Sequence, residues 1–188
     1  MKLTRNHLIG LYFTTAAIGA IFTIMWLNGS LTVVRIIQNS PQIAIIPTAV
    51  NLQWLRFLTI FAGNLLVACL AALALVWMNK PKITISALLL SISFNGFLLG
   101  TIGGYAALAY GLLYIIAGLV PHGIFELTAI FTAWGLSLTG IQRIKSHQLM
   151  KAVLIDNLRS VVSFCVPLLL MAAIIETFIT PLIIEVVA

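Results

Sequence analysis

Charged side chains are scarce in this sequence of 188 residues, in which Lys and Arg number 10, Asp and Glu number 4, and all four types make up 7% of the chain. Soluble globular domains carry about 25% charged residues, so the composition excludes an ordinary soluble fold. Hydrophobic residues reach 62%, and several apolar runs exceed the roughly 18 residues that cross a bilayer as a helix. The sequence therefore predicts an all-α, polytopic transmembrane helical bundle, with residues 1–188 forming a single integral membrane domain.

Cysteine is almost absent, and the common catalytic motifs are missing. Cys69 and Cys165 both lie in apolar stretches without C-x-x-C spacing, so we predict two small core residues rather than a disulfide or a metal pair. The sequence contains no phosphate-binding loop, no G-x-S-x-G and no H-E-x-x-H. Nothing in it indicates that the protein uses nucleotides.

Five apolar runs predict five membrane spans, near residues 8–27, 54–78, 83 to beyond 110, 121–141 and 161–184. The third run is too long for one straight helix, and it contains several glycines. Two interpretations stay open for it: one kinked helix, or a helix followed by a re-entrant piece.

The basic residues predict the orientation of these spans. One set of span ends collects Lys2, Arg5, Lys80, Lys82, Arg143, Lys145, Lys151 and Arg159, whereas the other side holds only Arg35 and Arg56. Because Lys and Arg concentrate in cytoplasmic loops, the N-terminus is predicted to be cytoplasmic and the C-terminus outside. The net charge of +6 is thereby explained by topology in the cell (plasma) membrane. We expect contact with the lipid bilayer and none with nucleic acid.

The stretch GLVPHGIFELTAIF, residues 118–131, places a Pro, a His and a Glu close together in an otherwise apolar chain. Pro121 suits the first position of the fourth helix, where its missing N–H costs no hydrogen bond. His122 and Glu126 are then four residues apart on one helix face. Glu176 lies in the outer half of the next, antiparallel span. We expect these three side chains to converge in the outer half of the membrane.

Such a cluster is compatible with two kinds of site. A catalytic zinc ion takes about three protein ligands and keeps one position open for water, and His122, Glu126 and Glu176 form a candidate ligand set that would activate that water. The alternative is a structural or proton-handling polar cluster that ties two helices together. Since an ionisable residue within a membrane costs about 2.5–3.5 kcal/mol on insertion scales, we expect a role in either case. The sequence does not identify a cofactor, and a divalent metal such as zinc is the candidate.

Two asparagines and a repeated glycine stand within the second and third spans. Asn64 and Asn95 need hydrogen-bond partners in lipid, and we expect them to orient groups in the same polar cavity as Glu126 or to form structural bonds between helices. Gly96, Gly100 and Gly104 form a doubled G-x-x-x-G stripe. This stripe predicts close helix packing, inside the bundle or against a second copy of the chain.

The basic connection at residues 143–159 has two interpretations. It is either an amphipathic helix lying on anionic lipid or a solvated loop that sets the topology. Asp156 and Arg159 are three residues apart, and we expect them to pair for little net stability.

The motifs LVPHGIFELTAIF, IIETFITP, FAGNLLVA and NGFLLG resemble, in their order, the stage II sporulation protein M family. The resemblance runs from about Trp54 onward, and the first span is similar only in character. It implies a multi-spanning membrane protein of a family named for a component that acts with cell-wall-degrading partners. The resemblance matches two motifs of the family. The main motif takes in Pro121, His122, Gly123 and Glu126, and the C-terminal motif takes in Glu176 and Pro181.

Two departures from the family pattern bear on these residues. Thr128 stands where family members often carry a second proline, which predicts a straighter fourth helix. Gly63-Asn64 stands where paired asparagines are common.

Three function classes follow. The leading one is a non-catalytic component of a cell-envelope assembly, with itself as a homo-oligomer or other membrane and cell-envelope proteins as partners. The first alternative is a metal-dependent intramembrane hydrolase that uses His122, Glu126 and Glu176. The second is a small transporter or scramblase in which Glu126 and Glu176 change protonation.

Overall fold

The computed structural model describes residues 4–28, 50–78 and 80–187. Over these ranges the chain forms helices and short turns, without a strand. Five of the helices are long and apolar enough to cross a membrane. The predicted all-α, polytopic fold is therefore confirmed. Arg35 lies outside the described residues.

The five helices, named α1 to α5 in chain order, cover Arg5–Asn28, residues 50–77, Pro81–Tyr110, Leu112–Lys145 and residues 150–187. Three π-helical turns interrupt two of them, at Leu70–Ala74 in α2 and at Val161–Cys165 and Ile175–Ile179 in α5. Helix α4 contacts each of the other four helices. It therefore forms the centre of the bundle, and Trp134 on it is almost fully buried.

The third apolar run is divided at Gly111. Residues 81–110 form one continuous helix, α3, and the part of the run beyond Gly111 belongs to α4. The φ of Gly111 is 89°, which is open to glycine but strained for other residues. Helix α4 begins at the next residue. The predicted start of the fourth span was therefore wrong, because Pro121 lies inside α4. An internal proline removes one backbone hydrogen bond, which membrane helices tolerate when neighbouring groups compensate.

The basic connection is a short turn followed by a helix that continues into the fifth span. Helix α4 extends to Lys145, and His147 in the turn adopts a φ of 65°. Helix α5 begins at Met150 instead of near residue 161. Asp156 pairs with Arg143, with 2.6 Å between Oδ2 and Nη2, so the expected pairing with Arg159 was wrong. This ion pair links the two helices on either side of the turn.

The glycine stripe packs α3 against α1 inside the bundle. Gly96, Gly100 and Gly104 are all buried, and a Cβ atom on Gly100 would overlap the backbone of Ala16. On the facing helix, a Cβ atom on Gly19 would overlap the carbonyl of Phe97. The small residues therefore let two backbones approach more closely than side chains allow.

The π-helical turn of α2 is tied to the two neighbouring helices through its carbonyl groups. Ser137 on α4 donates a hydrogen bond to the carbonyl of Ala71, and Asn157 on α5 donates one to the carbonyl of Ala72 at 2.7 Å. Since backbone polar groups within a membrane must be satisfied internally, these two buried side chains stabilise the irregular turn. The sequence analysis did not single out either residue.

Candidate functional site

His122, Glu126 and Glu176 come together between α4 and α5. Each offers a ligand atom, and these atoms all lie within 4.8 Å of one another. His122 is buried, whereas the two glutamates are partly buried. The turn at residues 146–149 joins α4 and α5 at one end of the bundle, and the three residues lie towards the opposite end of these helices. They are therefore remote from most of the basic side chains. We call them, with Asn64 and Thr180, the polar cluster.

The imidazole of His122 faces α5 with both of its nitrogen atoms. Its Nε2 lies 3.9 Å from Oε2 of Glu176, and its Nδ1 lies 3.5 Å from Oγ1 of Thr180. Glu176 and Thr180 share a helix face because they are four residues apart. The contact with Thr180 leaves Nε2 directed at the carboxylate, which is the arrangement expected for an ion pair or for a metal ligand.

Glu126 faces a third helix. The side chain of Asn64 on α2 lies close enough to its carboxylate to interact with it. Tyr12 on α1 is also close enough to interact with this charge. Glu126 therefore connects α4 to α2, while His122 connects α4 to α5.

Among the described residues, one cation, Arg56, lies near the cluster. Arg56 on α2 is exposed and lies close enough to His122 to interact with it electrostatically. The sequence analysis placed Arg56 on the same side of the membrane as the cluster but gave it no role. The proximity of Arg56 and the contact with Thr180 became visible only through the helix packing.

Asn95 neither joins the cluster nor bonds to another helix, the two alternatives that the sequence left open for it. Its side chain is exposed on α3, and its amide donates a hydrogen bond to the carbonyl of Ser91, 2.8 Å away in the same helix. An asparagine that bonds to the preceding turn needs no partner on another helix. Next to Glu176, the buried hydroxyl of Thr177 has no hydrogen-bond partner among the described residues.

Five apolar helices, with a cluster of one His and two Glu between α4 and α5, define a polytopic α-helical membrane protein with a partly buried polar site. The family model described as Stage II sporulation protein M matches residues 8–181. The chain belongs to the stage II sporulation protein M family, and the match extends to the first span. No curated protein and no solved structure matches it.

Proposed function

We propose that this chain is a non-catalytic membrane component of a cell-envelope assembly, and that its polar cluster fixes the helix arrangement that partner proteins recognise. The observation that carries this proposal is that the cluster joins three helices. Glu126 lies close enough to Asn64 of α2 to interact with it, and His122 is held between Glu176 and Thr180 of α5. Membership of the family supports a role beside other envelope proteins.

The energetics favour a role beyond simple packing. Hydrogen bonds between membrane helices contribute about 0.6 kcal/mol on average and at most about 1.7 kcal/mol. An acidic or basic residue within a span costs about 2.5–3.5 kcal/mol on insertion scales. The free-energy cost of placing the two glutamates in the membrane is therefore larger than the stabilisation that their contacts provide. Selection for stability alone would favour apolar residues at these positions. We therefore infer that the two glutamates are kept for function.

We place the cluster in the outer half of the cell (plasma) membrane, with the N-terminus cytoplasmic and the C-terminus outside. The distribution of cations supports this placement. One end of the bundle carries, among the described residues, Arg5, Lys80, Lys82, Arg143, Lys145, Lys151 and Arg159. Arg56 lies near the cluster instead. The basic end is cytoplasmic under the positive-inside rule, and five spans put the two termini on opposite sides.

A second candidate function is a metal-dependent intramembrane hydrolase, which the spacing of the ligand atoms favours. Tetrahedral zinc with bonds of about 2.0–2.1 Å holds its ligand atoms roughly 3.3 Å apart. In the cluster the corresponding atoms all lie within 4.8 Å of one another. The difference of about 1.5 Å is within the reach of rotations in two long glutamate side chains. The donor set of one imidazole and two carboxylates suits a divalent metal such as zinc.

Each residue would have a defined role in that hydrolase. His122 Nε2 and the carboxylates of Glu126 and Glu176 would hold the ion, and Thr180 would fix the orientation of the imidazole through Nδ1. Bound zinc lowers the pKa of a coordinated water to about 7 and so supplies a nucleophile at neutral pH. Glu176 is 25% exposed, which would leave that water an approach from outside the bundle.

Metal content separates the two candidates. The protein is purified in detergent without chelator and analysed by elemental mass spectrometry, together with His122→Ala, Glu126→Gln and the control Glu185→Gln, whose carboxylate is exposed near the C-terminus. The non-catalytic proposal predicts no stoichiometric metal in any of the four samples. A near-stoichiometric metal that is lost in the two cluster variants and kept in the control would overturn it in favour of the hydrolase.

Complementation tests the proposed role in the cell. A strain that lacks the gene receives either Glu126→Gln, which keeps an oxygen acceptor for Asn64, or Glu126→Leu, which removes it. We expect the first variant to restore the envelope phenotype and the second to fail. If both variants accumulate normally and both fail, the carboxylate itself is needed, and a purely structural cluster is excluded.

A further inference from the structure

An apolar groove runs along the bundle surface between α2 and the beginning of α5. Its volume is about 740 Å³, within the range of about 300–1,000 Å³ typical of ligand sites. Leu70 and Trp77 line it from α2, and Leu154 and Leu158 line it from α5. Lys151 is the one charged side chain among its described lining residues. The groove is therefore an apolar trough with a single cation.

The fold explains why these apolar side chains have no partner. On α5, Val153 and Asn157 point into the bundle and are almost fully buried. The outer face of the same helix lines the groove, and Leu158 on this face is 47% exposed. On α2, Trp77 is 67% exposed. The carbonyl groups of the π-helical turn accept hydrogen bonds from side chains of α4 and α5, on the side away from the groove.

The groove has a basic end and an apolar end. Trp77 and Lys151 lie near the termini of their helices, and the exposed cations Lys80 and Lys145 lie at the same end of the bundle, three residues after Trp77 and six before Lys151. Cys69, at the other end, precedes Trp77 by eight residues, which corresponds to about 12 Å of helix. Tryptophan at a helix end is typical of the membrane–water interface. The cations therefore lie at headgroup depth and the apolar wall at acyl-chain depth.

We propose that this groove binds one anionic phospholipid, with an acyl chain along the wall formed by Leu70 and Leu158 and the phosphate beside the ammonium group of Lys151. Basic pockets between membrane helices bind anionic headgroups in this way. One lysine near a membrane surface is worth about fivefold in affinity for anionic lipid. A partner helix fits less well, because it would cover a longer stripe and would bury Lys151 against apolar side chains. The inference does not depend on the proposed function.

Native mass spectrometry with two lipids tests the site. Delipidated protein in detergent is titrated with dioleoyl phosphatidylglycerol and, separately, with dioleoyl phosphatidylcholine. We expect the wild type to bind one phosphatidylglycerol at least about fivefold more tightly than phosphatidylcholine. Lys151→Gln should remove this preference. Lys145→Gln, which removes an exposed cation from the same end outside the groove, should keep most of it. Ala74→Phe, which fills the groove, should weaken the binding of both lipids.

Three results would overturn the proposal. Equal affinities of the wild type for the two lipids would exclude a site for anionic headgroups. Equal losses in Lys151→Gln and Lys145→Gln would indicate a diffuse basic surface. A dimer that Ala74→Phe converts to a monomer, without any change in lipid binding, would make a second copy the occupant. If Ala74→Phe fails to fold, Lys151→Gln decides alone, because its side chain is exposed.

Discussion

The Nε2 atom of His122 on α4 lies 3.9 Å from Oε2 of Glu176 on α5. On the other side of the same ring, Nδ1 lies 3.5 Å from the hydroxyl of Thr180. One imidazole thus contacts the neighbouring helix at two positions, one turn apart. Glu126, one turn further along α4, lies close enough to Asn64 of α2 to interact with it, so the polar cluster brings together side chains of three helices.

The glycine stripe gives the first stability prediction. Gly100→Ala should lower the free energy of unfolding by about 1–3 kcal/mol, because the added methyl group overlaps the backbone of Ala16 and forces α1 away from α3. Gly103→Ala is the matched control, since a Cβ atom at this position meets nothing within 4 Å. It should leave stability unchanged or raise it by up to about 1 kcal/mol through helix propensity. Equal destabilisation of the two variants, in unfolding curves measured in detergent, would contradict this packing.

A second prediction concerns the buried amide of Asn157. Asn157→Ala removes the donor to the carbonyl of Ala72, 2.7 Å away, and a longer bond to the carbonyl of Leu136. We expect a loss of about 1–3 kcal/mol, because a carbonyl in the π-helical turn is left unsatisfied within the membrane. Asn95→Ala should change stability by less than about 0.5 kcal/mol, since that amide is exposed. A larger loss of stability in Asn95→Ala than in Asn157→Ala would contradict this assignment, because it would give the structural role to Asn95.

Thr180 offers a nearly isosteric test of the polar cluster. Thr180→Val removes only the hydroxyl beside His122 Nδ1, and we expect it to lower stability by about 0.6 kcal/mol, the average for a hydrogen bond between membrane helices. The control is Thr139→Val, whose exposed hydroxyl bonds to carbonyls of its own helix. Thermal unfolding of the two variants side by side gives the comparison. No difference between them would mean that the contact with His122 contributes nothing.

The predicted orientation can be tested by thiol labelling in intact cells. In a background with Ala at positions 69 and 165, Glu185→Cys should react with a membrane-impermeant reagent from outside. Thr4→Cys should react only after permeabilisation, because five spans separate the two positions. Labelling of both sites from the same side would contradict the span count. Labelling of position 4 alone from outside would invert the orientation.

The apolar runs predicted the spans well because length and hydropathy alone decide whether a helix crosses a membrane. The convergence of His122 with Glu176 also follows from the antiparallel order of neighbouring spans. The start of α4 was missed because the preference of proline for a first helical turn, learned from soluble proteins, did not hold for Pro121 in a membrane helix.

The sequence analysis named Asn95 and overlooked Asn157 for a different reason. Both are amides in helices, and the sequence does not show which one faces lipid. Asn95 bonds to the preceding turn of its own helix. Asn157 meets a π-helical turn in α2, an irregularity that hydropathy does not reveal. Such a partner exists only once the helices have packed.

The central claim, that the polar cluster ties α4 to α5, is tested most directly by a double-mutant cycle between His122→Ala and Glu176→Ala. The free energy of unfolding is measured in mixed detergent for the wild type, the two single variants and the double variant. The cycle removes effects that each substitution has by itself. We predict a coupling energy of about 0.6–1.7 kcal/mol, the range of polar contacts between membrane helices. Additive effects of the two substitutions, with no coupling, would show that the two side chains do not stabilise each other and would contradict the account.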